Sequence, residues 1–179
     1  MRKQVVIAVA TLSIAAAAAF AGGATAMSGA CSSGQIVKTG PYTFALQIGP
    51  VQQMYSAAEV KAKRLKSGEV MLSGTMAAMN MAMGTTRHLE VHICRSSSGA
   101  VVIGAHPTIT VDDPSAKTMM MSVPVATMEG IGMGSSDYHY GNNVELTAGH
   151  HITVTVTLNG QHALFHTTVP KTGAMSMSG

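Results

Sequence analysis

The chain has no tryptophan, aromatic residues make up only 4% of it, and charged residues only 11%. So few charges leave no basic surface of the kind that tracks phosphates, and no nucleic-acid partner is expected. The formal net charge of +3 owes much to Arg2 and Lys3, because without them nine basic residues face eight acidic ones. The one local basic run, Lys61, Lys63, Arg64 and Lys66, reads as a solvated helix face. Catalytic signatures are missing too. There is no Gly-x-Ser-x-Gly, no His-Glu-x-x-His and no phosphate loop, so no nucleophile–base arrangement is evident and an enzyme is not expected. Neither an internal repeat nor a second domain is apparent.

One long apolar run exists, residues 5–20. It is short for a membrane span, and it is preceded by Arg2 and Lys3 and followed by Ala24-Thr25-Ala26, a small-x-small cleavage pattern. Residues 1–26 therefore read as an export signal. Residues 27–39 form an N-terminal segment, 40–170 the domain, and 171–179 a flexible Met/Gly/Ser tail. The expected location is periplasmic, or otherwise extracytoplasmic or secreted. Ser28-Gly29-Ala30-Cys31 resembles a lipoprotein signal only weakly, so lipid anchoring is a minor alternative. The chain has just two cysteines, Cys31 and Cys94. Export permits a disulfide between them, and a Cys94 thiol ligand is the competing reading.

Methionine is what the chain has in excess: fifteen residues. Many are clustered, at Met76, Met79, Met81 and Met83, at Met119, Met120 and Met121, at Met128 and Met133, and at Met175 and Met177. Methionine is a flexible core filler, but thioether sulfur is also a soft ligand suited to Cu(I). In the stretch 76–83 only Ala and Asn separate the methionines, which leaves the two readings level there.

Elsewhere the pattern is β. Strands are expected over 42–48, 70–72, 88–94, 101–103, 109–111 and 119–125, the last at an edge because of Pro124. Residues 152–158 alternate apolar residues with threonine, Asn159-Gly160 reads as a hairpin turn, and 163–169 returns as the partner. A single helix is expected over 56–66, opened by the Ser56-x-x-Glu59 capping box and followed by Gly68. The expected fold is an all-β sandwich with one short helix.

Within the strand at 88–94, His88, Glu90 and His92 alternate with Leu89, Val91 and Ile93. Side chains on a strand alternate faces, so two imidazoles and a carboxylate share one face while the aliphatic residues face a core. That row is a donor set for a transition metal. Further candidate ligands come from two other segments. One is Met133 with Asp137 and the sequence Tyr138-His139-Tyr140-Gly141-Asn142-Asn143; the other holds His162 and His166. His106, His150 and His151 read as ordinary turn or surface residues.

The motifs His88-Leu89-Glu90 and His139-Tyr140-Gly141-x-Asn143, with a methionine upstream of the second, resemble the periplasmic ferrous-iron transport-associated (Tpd) family over roughly residues 40–170. That resemblance implies an immunoglobulin-like sandwich, commonly a homodimer, that binds copper and iron(II) and accompanies an iron permease. It implies His88 and His139 as imidazole ligands and Glu90 as the carboxylate for the harder ion. Met133 becomes the thioether, with Met128 as its rival, and His162 or His166 the last histidine. His88, Glu90 and His139 are then expected to converge. Three functions remain open: an exported metal-binding protein that captures iron for an uptake system, a copper-buffering or copper-tolerance protein, and an adhesive or interaction sandwich with incidental histidines.

Overall fold

The computed structural model describes residues 29–75, 85–116 and 119–171. The expected signal segment 1–26, the methionines at 76, 79, 81 and 83, and the tail from 172 onward lie outside the described residues. Eleven strands follow in order: β1 (Gln35–Thr39), β2 (Tyr42–Pro50), β3 (Met54–Ser56), β4 (Glu69–Ser73), β5 (Thr86–Arg95), β6 (Thr108–Asp112), β7 (Met120–Val123), β8 (Ala126–Gly130), β9 (His139–Glu145), β10 (His151–Leu158) and β11 (Gln161–Thr168). One helix, α1 (Ala57–Lys63), lies between β3 and β4, and short 3-10 turns cover Gly29–Cys31 and Gly134–Asp137.

Two sheets form a β-sandwich. The larger has the order β1-β2-β5-β9-β8-β4-β3 and the smaller β11-β10-β6-β7. The alternation in β5 and β10 decides how they pack. Leu89, Val91 and Ile93 turn to the interior and meet Ile152, Val154, Val156, Ala163 and Phe165 of the smaller sheet in one buried core. Asn159 and Gly160 both have positive φ, 49° and 75°, as a two-residue primed hairpin turn requires. β7 is an edge strand.

The helix is shorter than expected. Ser56 caps it in a reciprocal box with Glu59, and Arg64, not Gly68, takes the left-handed position that ends it. The expected strand at 101–103 reduces to an isolated bridge between Cys94 and Val101. The Tyr140 hydroxyl donates to the Val102 carbonyl and accepts from the Ala105 amide, so a side chain takes the place of a ladder there. Strands β1, β3, β8 and β9 were not expected; β9 carries the His139 motif. Cys31 and Cys94 form a disulfide, which leaves no thiol for a metal.

Candidate metal centre

The outer face of the larger sheet, opposite the sandwich core, carries the polar residues of β5. In β9, Asn143 stands directly opposite His88, and Gly141 opposite Glu90. Paired residues of an antiparallel ladder share a face. His139, two residues before Gly141, therefore joins the row of His88, Glu90 and His92. A Cβ at Gly141 would collide with the Leu89 carbonyl, so glycine allows the two backbones their close approach beneath Glu90.

This face would ordinarily be wet, yet His88, Glu90, His92 and His139 are all buried. Two features cover it. The chain leaving β2 crosses over it to reach the far edge of the sheet at β3, and Asn143 fastens that crossing. The Gln52 amide donates to Asn143 Oδ1 at 3.1 Å, and Asn143 Nδ2 donates to the Gln52 carbonyl at 2.8 Å. The sheet also curls, bringing Glu69 of β4 to 3.7 Å from His139 Nε2 although β8 lies between the two strands.

The donor atoms converge. His88 Nε2 is 3.4 Å from His139 Nε2 and 3.8 Å from Glu90 Oε2, and His92 Nε2 is 3.5 Å from Glu90 Oε1. Two groups of possible ligands overlap at His139: Glu69, His88 and His139, and Glu90, His92 and His139. The far sides of the rings are all committed. His88 Nδ1 donates to Asn143 Oδ1 at 3.0 Å, His92 Nδ1 to the Tyr138 carbonyl at 3.1 Å, and His139 Nδ1 to the Asp137 carbonyl at 2.7 Å. The two carbonyls only accept, and the Asn143 oxygen is identified by its bond from the Gln52 amide. Each neutral ring therefore turns its Nε2 lone pair into the same space, in the arrangement by which outer partners orient metal-binding histidines.

The charge states follow from burial. Burial pushes Glu69 up to about 8, helped by the negative charges of Asp137 and Glu90. Burial and the neighbouring His139 push His88 down to about 4. His139 is likewise depressed, first by burial. Burial alone would depress His92, but its bond to Glu90 and that carboxylate's charge raise it instead. Burial alone would raise Glu90, but His92 and the charges of His139 and His88 hold it low. Without a metal, Glu90 and His92 each favour the other's charged form, while Glu69 keeps a proton near neutral pH. Even so, Glu69 Oε2 is buried with no hydrogen-bond partner. An unsatisfied buried oxygen costs about 1–3 kcal/mol, and a cation between the carboxylates and imidazoles would remove that deficit. The residues fit a first-row transition ion, since imidazole and carboxylate suit Zn(II), Fe(II), Mn(II) and Cu(II).

Of the residues expected from sequence, the structure brings together His88, Glu90, His92 and His139. Met128 lies opposite His139 on the adjacent strand and is fully buried. The remaining three do not join the group. Met133 precedes the 3-10 turn and is 56% exposed. His162 and His166 lie on the outer face of the smaller sheet, exposed, and bonded through Nδ1 to Thr157 and Thr153. Ala163 and Phe165 take the inward positions of that strand, so its histidines must point away. Glu69 was not anticipated; its only local signal is an acidic residue opening a strand. Comparison with known protein families, curated proteins and solved structures finds no match for the chain.

Proposed function

We propose that this chain is an exported metal-binding protein that holds one divalent first-row transition ion through His88, His92, His139 and Glu90, with Glu69 as a further carboxylate. One observation carries the reading: three imidazoles, each oriented through Nδ1, present Nε2 to the same buried space as two carboxylates. Burying so many ionisable groups without a counter-ion is expensive, and side chains serving only adhesion gain nothing from it. The donor set supports iron(II) as cargo, and copper(II) binds the same nitrogens. Capture of iron for an uptake system, handed on to an iron permease by a monomer or homodimer, is the role that the resemblance to the Tpd family implies. The leader-like residues 1–26 and the Cys31–Cys94 disulfide support an extracytoplasmic location.

A copper-buffering protein is the second reading, favoured by the fifteen methionines. Anaerobic affinities of the full chain for Fe(II), Cu(II) and Cu(I), wild type against His88→Ala, separate the two. Iron capture requires tight Fe(II) binding that His88→Ala removes. Tight Cu(I) binding alone, indifferent to His88→Ala, favours buffering.

A further inference from the structure

Methionine is unevenly placed among the described residues. The main core between the sheets is built from Leu, Val, Ile, Phe, Tyr and Ala, and no methionine is buried in it. The buried methionines, Met54 and Met128, occupy a separate small cluster with Ala126, against which Met71 packs. A residue used only as gap filler would be expected wherever gaps occur, above all in the larger core. Here both buried methionines sit in one corner, and the main core takes only Met121, partly buried at its margin.

That corner adjoins the imidazoles. Met71 of β4 stands opposite Met128 of β8, and Met128 opposite His139 of β9. Directly opposed side chains have Cβ atoms about 4.5–5.5 Å apart, so two thioethers and an imidazole run side by side across the sheet. Met54 of β3 pairs with Glu69, two residues before Met71 on the same face. Met71 is only partly buried and lies at the cluster's margin. The patch thus reaches from partly exposed surface to the buried ring of His139.

We propose that Met54, Met71 and Met128 form a second metal site, separate from the imidazole–carboxylate group and selective for cuprous ion. Thioether sulfur is soft and prefers Cu(I). The three ligands are also neutral. Three neutral thioethers offer little to offset the desolvation of a dication, whereas a monovalent soft ion loses far less hydration on binding them. Binding needs no ligand deprotonation, so its affinity does not follow the pH dependence of a histidine–carboxylate site. The two sites divide the metals by softness on one sheet face.

The test is an anaerobic competition titration of the full chain with Cu(I) against a chromophoric cuprous chelator, paired with a Co(II) titration. The variants are Met54→Leu, Met71→Leu and Met128→Leu, singly and together. Leucine keeps the size and apolarity, so packing is nearly conserved while sulfur is lost. The control combines Met119→Leu, Met120→Leu and Met133→Leu, all exposed positions. Each single cluster variant should weaken the tightest Cu(I) equivalent by at least the roughly tenfold that even an outer-shell defect costs. The triple should abolish it, the control should leave it intact, and Co(II) binding should persist in every variant. X-ray absorption of the one-equivalent Cu(I) form should report sulfur neighbours. Unchanged Cu(I) binding in the singles and triple overturns the proposal, as does a Cu(I) shell of nitrogen alone. Loss of Cu(I) and Co(II) together from the folded Met128→Leu protein also overturns it, because the thioethers and imidazoles would then form one site. If Co(II) binding is absent from wild type while the cluster still binds Cu(I), the divalent reading fails and this one stands.

Discussion

Replacing Glu69 by glutamine should have opposite effects on the metal-free and metal-loaded protein. Its carboxyl is held at about 8 against an ordinary 4.5, chiefly by burial. The folded state therefore binds a proton that the unfolded state has lost between those values, and stability falls as pH rises through that window. His88, depressed from 6.5 to about 4, works in the other direction and adds stability as pH rises from about 4 to 6.5. The two cancel over most of the acid range. Above pH 6.5 the Glu69 decline remains, reinforced by His92, whose raised pKa is also lost stability as pH climbs past its unfolded value of 6.5. One group contributes at most about 1.4 kcal/mol per pH unit, so Glu69 alone accounts for roughly 2 kcal/mol between pH 6.5 and 8. Glutamine is nearly isosteric and cannot ionise. Denaturant unfolding with chelator present should find the stability advantage of Glu69→Gln over wild type growing by roughly 2 kcal/mol between pH 6.5 and pH 8. With Zn(II) in excess, the added stability should be smaller in the variant than in wild type, because a ligand carboxylate is gone. A metal-free wild type whose stability is flat from pH 6.5 to 8, or a variant whose advantage does not grow across that range, would refute the reasoning.

Three further outcomes follow from particular contacts. Asn143→Ala removes both the acceptor for His88 and the clamp on Gln52; titration should find divalent affinity about 10–100-fold weaker with the fold retained by circular dichroism. Met133→Leu, His162→Ala and His166→Ala, all exposed, should leave Co(II) affinity unchanged. Thiol titration of the denatured, unreduced protein should find no free thiol, and removing the Cys31–Cys94 bridge should cost roughly 2–5 kcal/mol in unfolding experiments.

Much of this architecture was legible because alternation survives in the sequence wherever one face is core and the other is not. β5 and β10 are the clearest cases, and β5 alone placed three of the four central site residues on one face. His139 came from its motif, although its segment proved to be a strand. β8 was illegible: Ala126 to Gly130 has one β-branched residue and derives its strand state from pairing with β4 and β9. Glu69 was illegible for a different reason. It belongs to the site only because the sheet curls and because the β2–β3 crossing covers that face, and neither leaves a local pattern. His162 and His166 were candidates as histidines of a later segment, and the resemblance made one of them the last ligand, yet the inward Ala163 and Phe165 already assigned them to the opposite face by the same period of two.

The central claim is that His88, Glu90, His92 and His139 hold one divalent ion in a buried site. Co(II) titration of the full chain at pH 8, followed by ligand-field absorption and by the protons released, tests it most directly. The account predicts a single saturating equivalent, a spectrum of low-symmetry nitrogen–oxygen coordination, proton release from Glu69, and loss of the signal in a folded His139→Ala variant. No saturable Co(II) binding, or binding that survives His139→Ala unchanged, would contradict it.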